Sequence, residues 1–323
     1  MNVLVTGGAG FLGQSLIAAL LARGTLDAGD GPRPIERIVA FDLAPGTLAD
    51  PRLEYRVGRL EAPAAADGLV TADTRAVFHL AAVVSGSAEA DFDLGMRVNL
   101  DGTRALFERA RALGTVPRVL FTSSIAVFGG ELPEIVTDAT PPTPQGSYGV
   151  QRLIGELLLG DMTRKGFVDG RSVRVPTVVV RPGAPNGAAS GFASAIVREP
   201  LAGRDYALPV ALDTAMWMAS PQAVVAMLLR AFELPAQAWG WNRSLNLPGL
   251  TATMGEALDA LRAQAGEAVA ARVRVEPDER VLRLVRTWAS RFDCARARAL
   301  GFEADADFAA ILRQYRAAHA PGV

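Results

Sequence analysis

Three residues of types suited to removing a proton from an alcohol occur in the middle of the chain. Ser124 lies in TSSIAVFGG (122–130), Tyr148 lies in SYG (147–149), and Arg152 follows the tyrosine by four residues. A tyrosine can accept a proton only where nearby positive charge stabilises its phenolate. A cation one helical turn later supplies such charge, and a serine hydroxyl can orient the substrate oxygen. The three residues are therefore predicted to be catalytic.

A glycine-rich segment near the start of the chain has the spacing of a phosphate-binding turn. Residues 6–13 read TGGAGFLG, with an apolar run before them and a helical pattern after them. Glycines permit a tight turn and let the backbone approach a pyrophosphate, while a helix N-terminus adds unpaired N–H groups. The segment predicts a dinucleotide site with contacts at Gly7, Gly10, Phe11, Leu12 and Gly13.

The kind of dinucleotide is indicated by the end of the next apolar run, VAFDL at 39–43. The carboxylate of Asp42 would accept hydrogen bonds from the adenosine ribose and would repel a 2′-phosphate. Arg59 is an opposing feature, because it could reach the adenosine end. We expect NAD, since Asp42 acts at the ribose itself. The oxidised nicotinamide of NAD would then add a second positive charge beside Tyr148.

Short apolar runs alternate with helical patterns through the first 180 residues or so. Continuous apolar runs are typical of strands buried on both faces of a parallel sheet. Strands are predicted at Asn2–Thr6, Ile38–Asp42, Glu54–Val57, Ala76–Leu80, Arg118–Ser123 and Arg174–Val180. Leucine-striped helices between them make right-handed βαβ units, so the fold class is α/β, with a Rossmann-type doubly wound parallel sheet. The Gly/Pro/Asp-rich segment 25–34 is predicted to be an exposed loop.

The pattern changes after residue 180. Residues 181–215 contain four prolines and several glycines, which predicts long loops. Later elements are expected to be a helix near 220–233, a strand near 244–247 and helices near 254–265 and 304–318. We therefore expect an NAD-binding domain at 1–180, rejoined by parts of about 216–247, and a smaller C-terminal α/β substrate-binding region made of 181–215 and 248–323.

Composition excludes several classes of protein. Half of the 323 residues are hydrophobic and the net charge is −1, which indicates a globular chain with no basic field for nucleic acid. No apolar run reaches the roughly 18 residues of a membrane span, and the N-terminus has no charged signal region, so a cytoplasmic protein is expected. One cysteine, Cys294, and two histidines, His79 and His319, argue against a disulfide framework and a metal site. His79 is expected to pack beside the cofactor as a strand-end residue, and Cys294 to be a small buried side chain.

Read together, the motifs resemble those of the extended short-chain dehydrogenase/reductase family, the NAD-dependent epimerase/dehydratase group. The resemblance covers essentially the whole chain and is carried by TGGAGFLG, FHLAA (78–82), RVNLDGT (97–103), TSSIAVFG and SYG. It implies that Ser124 and Tyr148 are the family's catalytic serine and tyrosine. It also implies cofactor contacts at Leu80, Ala81, Ala82, Asn99, Tyr148, Arg152 and Pro182.

Arg152 departs from the family, which has a lysine four residues after the tyrosine. An arginine keeps the charge and can hydrogen-bond ribose hydroxyls, but it does not readily release a proton. Lys165 is the only lysine among the 33 lysines and arginines, so the replacement matches a bias of the whole chain. Both a retained dehydrogenase and a weakened or altered enzyme are compatible with this change.

Segments in both halves of the chain resemble the D-erythronate dehydrogenase subfamily. They read VVSGSAEADFDLG (83–95), VVVRPGAPN (178–186), SGFASAIVREPLAG (190–203), DTAMWMASP (213–221) and RFDCARARALGF (291–302). The resemblance implies oxidation of the C2 hydroxyl of a small sugar acid, D-erythronate, to 2-dehydro-D-erythronate. Ala184 departs from the lysine expected in RPG-x-PN, which would alter the carboxylate contact. The expected substrate contacts are Ser85, Ser124, Tyr148, Asn186, Ser190, Arg198 and Trp217.

Two other functions stay open on the motifs. A nucleotide-sugar epimerase or dehydratase shares the first half, although Ile125 and Ala126 leave no Asp-Glu pair after Ser124 and so disfavour dehydration. An NAD-sensing protein without turnover is suggested by Arg152. In this family helices corresponding to 89–113 and 148–165 form a four-helix contact, so a homodimer is expected.

Overall fold

A parallel sheet of seven strands carries the loops that were singled out from the sequence. The computed structural model in which it is seen describes residues 1–62, 64–183 and 188–319. The strands are β1 (Asn2–Thr6), β2 (Thr25–Asp27), β3 (Pro32–Pro34), β4 (Arg37–Asp42), β5 (Leu53–Val57), β6 (Thr74–His79), β7 (Arg118–Ser124), β8 (Asp169–Val175), β9 (Thr177–Val178), β10 (Tyr206–Leu208), β11 (Ala215–Ala219), β12 (Ser244–Asn246), β13 (Leu250–Thr253) and β14 (Val273–Val275).

Helices follow most of the strands. They are α1 (Phe11–Arg23), α2 (Ala65–Leu69), α3 (Ser85–Ala90), α4 (Phe92–Gly95), α5 (Thr103–Ala112), α6 (Ser147–Arg164), α7 (Phe192–Leu201), α8 (Pro221–Glu233), α9 (Ala236–Trp239), α10 (Met254–Ala265), α11 (Glu267–Ala270), α12 (Glu279–Val285), α13 (Ala295–Ala299) and α14 (Phe308–His319). A wider π-helical segment, Met96–Gly102, joins α4 to α5, and short 3₁₀ turns span Ile125–Val127 and Ala189–Gly191.

The order of strands in the large sheet places the nucleotide loops side by side. The order is β12-β8-β7-β6-β1-β4-β5, so the chain runs outward from β1 through β4 and then returns to its other side with β6. β1 and β6 are parallel, with Thr6 opposite His79 at their carboxyl ends. In doubly wound sheets the ligand crevice lies at the carboxyl ends of the two strands where the order reverses. The predicted Rossmann-type α/β fold is confirmed.

The buried runs of the sequence form the core of this sheet. Val3, Leu4 and Val5 of β1 are each 1% exposed or less, because helices cover both faces of the sheet. The leucine stripe of α1 is buried at Leu16 and Leu20, which confirms the predicted helix.

Three local predictions were wrong. The strand predicted at 174–180 is β8 at Asp169–Val175, followed by the short β9. No continuous apolar run marks this strand, because its charged residues interrupt the pattern and are held in ion pairs. The predicted loop at 25–34 contains the β2–β3 hairpin, anchored by fully buried Leu26. Residues 181–215 contain α7 and β10 as well as loops.

The chain divides into two compact units. The first consists of Met1–Val127, Gly146–Arg174 and Val225–Asn246, and the second of Phe128–Gln145, Val175–Val224 and Leu247–Val323. This division differs from the expected boundaries at 128–145, at 175–180 and at 216–224.

Pairing within the second unit accounts for these differences. Val136 bridges to Phe292, with its N–H donating to Arg291 O at 3.0 Å. β11 pairs with β9 and β13 in a three-stranded sheet of its own. The apolar core of this unit is formed by α7, α10 and α14 around that sheet, with buried Ile196, Leu261 and Ile311. None of the helices in the described ranges is both long and apolar enough to cross a membrane.

Candidate active site

The segment that joins β1 to α1 approaches its neighbours so closely that several of its glycines, Gly7 and Gly13 among them, have no room for a side chain. Gly7 has a φ of +72°, and a Cβ there would lie 2.8 Å from the backbone nitrogen of Ala81. A Cβ on Gly13 would lie 2.1 Å from the carbonyl oxygen of Gly7. The N–H of Gly7 donates to the Phe41 carbonyl at 2.8 Å, which fixes the turn against β4. The glycine pattern is therefore a geometric requirement of this turn.

The first turn of α1 leaves its backbone donors without a side-chain cap. The helix begins at Phe11, and its N-cap residue, Gly10, has no side chain that could accept a hydrogen bond. Uncapped N–H groups at a helix N-terminus attract an anion such as a pyrophosphate. Phe11 and Leu12 are the first two residues of this helical turn, and both are partly buried. They follow directly after the glycine turn.

Asp42 lies at the carboxyl end of β4 and forms hydrogen bonds with the backbone of the glycine turn. Its Oδ2 accepts hydrogen bonds from the N–H groups of Ala9 at 3.0 Å and Gly10 at 3.2 Å, and its Oδ1 accepts one from Leu43 N at 2.7 Å. Arg59, the residue that favoured a 2′-phosphate, is paired with Glu61 at 2.6 Å. The carboxylate thus shapes the turn, and its contact with a ribose stays a prediction.

The loop after β6 lies across from the glycine turn. Leu80 N donates to the carbonyl oxygen of Thr6 at 3.1 Å, and Ala81 N donates to the Thr6 hydroxyl at 3.2 Å. Ala82 follows, and all three predicted contacts in this loop are partly buried. Both loops are thus held to the end of β1.

Asn99 lies in the π-helical segment and braces this loop from behind. It is fully buried, and its Oδ1 accepts a hydrogen bond from Val83 N at 2.8 Å. Its Nδ2 donates to Val83 O at 3.0 Å and to Gln151 Oε1 at 2.8 Å. Because both polar atoms of the side chain are bonded within the protein, Asn99 joins the loop to α6. Asn99 would therefore influence a bound cofactor by positioning the loop after β6.

His79 is part of the core. Its Nδ1 lies 2.6 Å from Thr6 Oγ1 and its Nε2 lies 2.9 Å from Thr103 Oγ1, while its ring stacks on Phe121 with centroids 5.5 Å apart. Burial, together with the charge of Arg152, lowers the pKa of His79 to about 3, so the ring is neutral at pH 7. The expectation that His79 packs at a strand end is confirmed.

The three predicted catalytic residues lie on two elements that pack together. Ser124 ends β7, and its Oγ accepts a hydrogen bond from Ala126 N at 3.1 Å. Tyr148 is the second residue of α6, which packs against β7 and the 3₁₀ turn after it. The guanidinium carbon of Arg152 lies 5.1 Å from the Tyr148 ring centroid and 5.2 Å from the Phe121 ring centroid. The structure therefore places a cation against the predicted base.

Arg152 also supplies a test of whether a nucleotide fits here. The side chain is only 1% exposed, and its Nη2 donates to the carbonyl oxygen of Ala81 at 3.3 Å. Its Nε and Nη1 have no hydrogen-bond partner among the described residues. Buried donors without a partner are costly, and ribose hydroxyls would satisfy them. Together with a glycine turn that a Cβ would fill, these donors match a bound dinucleotide.

The remaining predicted substrate and cofactor residues fall in several places. Ser85 begins α3 in the first unit, and Pro182 and Ser190 are partly buried in the second. Asn186, like Ala184, lies outside the described residues.

Arg198 and Trp217 of the second unit are both buried. The guanidinium of Arg198 bonds Glu199 Oε1 at 2.8 Å and the carbonyl of Arg181 at 3.1 Å. Trp217 is 4% exposed and donates to Leu247 O at 3.3 Å. The principal polar groups of these two side chains therefore already have partners within their own unit.

Three functional neighbours were missed from the sequence. Glu89 on α3 accepts a hydrogen bond from Ser147 N at 2.9 Å, and so caps the helix that carries Tyr148. Gln151 receives the bond from Asn99, and Glu156 lies buried one turn beyond Arg152. The i, i+4, i+8 stripe of α6 was a signal that could have identified Glu156. Within the described ranges, no group of three or more His, Cys, Asp or Glu side chains could hold a metal ion.

The chain is similar to known proteins over nearly its whole length. The chain is 55% identical over 316 residues to the D-erythronate dehydrogenase of Cupriavidus necator, covering 98% of both chains. It is 43% identical to the D-erythronate dehydrogenase of Haemophilus influenzae, again covering 98% of both. A crystal structure described as a nucleoside-diphosphate-sugar epimerase from Agrobacterium tumefaciens superposes with a TM-score of 0.93 at 44% identity, covering 100% of this chain and 95% of that one.

More distant structures share the fold. A GalE-like L-threonine dehydrogenase from Cupriavidus necator in its holo form has a TM-score of 0.85 at 24% identity, covering 98% of this chain and 99% of that one. Residues 3–223 match the model of the family described as the NAD dependent epimerase/dehydratase family. The match confirms NAD as the cofactor that the glycine turn and Asp42 indicated, and the chain belongs to the NAD dependent epimerase/dehydratase family.

Proposed function

We propose that the protein is an NAD-dependent dehydrogenase that oxidises the C2 hydroxyl of D-erythronate to the 2-keto acid. The observation that carries the proposal is the identity of 55% and 43%, over 98% of the chain, to two curated D-erythronate dehydrogenases. In this reaction the C2–H bond breaks with its electron pair leaving as hydride, and the hydroxyl gives up its proton. The products are 2-dehydro-D-erythronate, NADH and a proton.

Three residues of the first unit have separate roles in the oxidation of the alcohol. Tyr148 Oη accepts the hydroxyl proton, while the Ser124 hydroxyl orients the substrate oxygen. Arg152, 5.1 Å from the tyrosine ring, stabilises the negative charge on the phenolate oxygen. An arginine in place of a lysine performs this task because the task requires only charge and donors, and both are present.

NAD is held in this proposal by the glycine turn, the N-terminus of α1, Asp42 and the two donors of Arg152 that have no partner in the described parts of the chain. When bound, it supplies the hydride acceptor. Asp42 would bond the ribose hydroxyls of the adenosine half, and Arg152 Nε and Nη1 those of the nicotinamide half. The loop at Leu80–Ala82 would close the other side of the crevice, held there by Thr6 and Asn99.

The proposed substrate contacts fall into two groups according to the chemistry of their side chains and the bonds these already form. Ser85 and Ser190 are partly buried hydroxyls, suited to the hydroxyl groups of a four-carbon acid. Arg198 and Trp217 have their principal polar groups bonded internally, so we propose that they shape their surroundings and do not bond the acid directly. Asn186 stays a predicted contact.

The proposal is tested by NADH formation. The purified protein is incubated with NAD and a panel of C4 and C5 aldonic acids, including D-erythronate, L-erythronate and D-threonate, and absorbance is followed at 340 nm. We expect the highest kcat/KM with D-erythronate. NAD binding without NADH formation from any of these acids would contradict dehydrogenase action on this class and would favour a sensing role.

The Agrobacterium structure supports a second candidate, a nucleotide-sugar epimerase, because it is 44% identical and bears that description. An epimerase would keep its reduced cofactor bound, so NADH would not accumulate. Thermal unfolding with UDP-sugars, followed by chromatography of the recovered sugar, distinguishes the two. Stabilisation and epimer formation would favour the epimerase.

A homodimer is also proposed, through the first unit. Val150, Ile154 and Leu157 form one exposed apolar face of α6, and Phe92 of α4 is 58% exposed. An exposed apolar stripe of this kind is typical of a protein–protein contact, and a second copy is the partner that the family suggests. A cytoplasmic location stays a prediction.

A further inference from the structure

The buried face of α6 carries a base, a cation and an acid one helical turn apart. Tyr148, Arg152 and Glu156 follow at i, i+4 and i+8, and the arginine and glutamate are 1% and 3% exposed. Opposite charges four residues apart on a helix are within reach of one another. Glu156 nevertheless bonds other partners, and two donors of Arg152 remain without one among the described residues.

Two residues from neighbouring strands occupy the carboxylate of Glu156. Arg174 of β8 donates from Nε to Oε1 at 3.0 Å and from Nη2 to Oε2 at 2.7 Å. Ser123, the residue before Ser124 on β7, donates its hydroxyl to Oε1. Arg174 Nη1 also donates to Asn246 Oδ1 of β12 at 3.2 Å, which fixes its orientation. Both oxygens of the glutamate are therefore engaged away from Arg152.

We propose that Arg174 and Ser123 are positioning residues that hold Glu156 away from Arg152. Arg152 is thereby left with its charge beside Tyr148 and with two donors directed to the nucleotide. This inference rests on the proposed role of Arg152 in the cofactor site. It gives the ion pair a functional reason, because a buried ion pair is often no more stabilising than apolar residues of the same volume.

The consequence of losing Arg174 follows from the same geometry. A buried carboxylate that has lost its cation, with only the Ser123 hydroxyl still donating to it, is strongly disfavoured, so we expect Glu156 to turn to another buried cation. Arg152, one helical turn away, is such a cation, and its Nε and Nη1 have no hydrogen-bond partner among the described residues. Arg152 would then be drawn from the ribose and from the tyrosine ring, and NAD would bind less tightly.

The test measures the dissociation constant for NAD by calorimetry, without substrate, so that its outcome does not depend on whether D-erythronate is the substrate. Arg174→Met is expected to weaken NAD binding about tenfold, the effect of one lost hydrogen bond to a charged group. The double variant Arg174→Met/Glu156→Gln, in which no carboxylate remains to compete, is expected to return within about twofold of the original affinity. Arg174→Lys, which keeps a cation on Glu156, is expected to bind NAD nearly as well as the unaltered protein.

A matched control separates this effect from general loss of stability. Arg118→Met breaks another buried ion pair of the same sheet, between Arg118 of β7 and Asp169 of β8. It is expected to lower the melting temperature while leaving the NAD dissociation constant unchanged. If Arg174→Met does not fold, Ser123→Ala removes one donor from Glu156 and is expected to weaken NAD binding two- to threefold, roughly.

Three results would overturn the proposal. The first is a double variant that binds NAD as weakly as Arg174→Met. The second is an Arg118→Met protein whose NAD affinity falls as much as that of Arg174→Met. The third is an NAD affinity that neither Arg174→Met nor Ser123→Ala changes.

Discussion

The guanidinium of Arg152 lies against the ring of Tyr148, with 5.1 Å between its central carbon and the ring centroid. The same carbon lies 5.2 Å from the ring centroid of Phe121. Contacts of a guanidinium with two aromatic rings restrict its orientation, and each such contact contributes about 0.5–2 kcal/mol. The departure from the family's lysine is thus accommodated by the aromatic residue on β7.

Charge at position 152 is expected to matter more than the shape of the side chain. Arg152→Lys keeps the cation near Tyr148 and should leave kcat for the acid substrate equal or slightly higher. Arg152→Met removes the charge and should lower kcat by about 100-fold. Steady-state kinetics with saturating NAD measure both. A large loss in the lysine variant would show that the guanidinium itself is required.

The glycine turn gives a graded prediction for stability. A Cβ at Gly13 meets the Gly7 carbonyl at 2.1 Å, whereas a Cβ at Gly10 meets the same oxygen at 3.2 Å. Gly13→Ala should lower the free energy of unfolding of the NAD-free protein by about 1–3 kcal/mol or more. Gly10→Ala, the control, should cost less than about 1 kcal/mol. Urea unfolding compares them, and equal losses would argue against the tight turn.

His79 is expected to make the protein less stable in mild acid. Burial lowers the pKa of His79 to about 3, from 6.5 for a free imidazole. Between pH 6.5 and pH 3, His79 is therefore protonated in the unfolded chain and neutral in the folded chain. The free energy of unfolding falls progressively as the pH drops below 6.5. At pH 5 the loss from this residue amounts to about 2 kcal/mol.

Urea unfolding at pH 7.5 and pH 5 measures this effect. His79→Gln should lose about 2 kcal/mol less between the two pH values than the unaltered protein. His319→Gln is the control, because His319 is exposed. The same acid sensitivity in the His79→Gln protein would contradict the assignment.

The exposed face of α6 predicts the oligomeric state. Leu157 is 66% exposed, and Leu157→Asp would place a charge at the centre of the proposed dimer contact. Light scattering should show a dimer for the unaltered protein and a monomer for this variant. Trp241→Asp, at a side chain 95% exposed elsewhere on the first unit, should remain dimeric. A monomeric unaltered protein would remove the proposal.

Local sequence patterns predicted those parts of the site that are formed by the course of the backbone. The glycine turn, β1 and the ends of β4 and β7 were predictable, because apolar runs and glycine spacing act over a few residues. β8 was not, since Asp169, Arg171 and Arg174 interrupt its apolar pattern. Two of these charges are paired with residues far along the chain, Asp169 with Arg118 and Arg174 with Glu156.

The residues that support the site also depend on contacts between positions far apart in the sequence. Asn99 was assigned to the cofactor by resemblance, yet its amide is bonded to Val83 and Gln151, 16 and 52 residues away. Such pairings exist only once the sheet and helices have assembled, so no local pattern indicates them.

The most direct test of the account concerns the proton acceptor. Tyr148→Phe removes the phenol oxygen and keeps the ring against Arg152. NADH formation from D-erythronate by this variant should fall by about 10²–10⁴-fold, while calorimetry shows NAD binding within about twofold of the unaltered protein. A Tyr148→Phe protein that produces NADH at the rate of the unaltered protein would contradict the account.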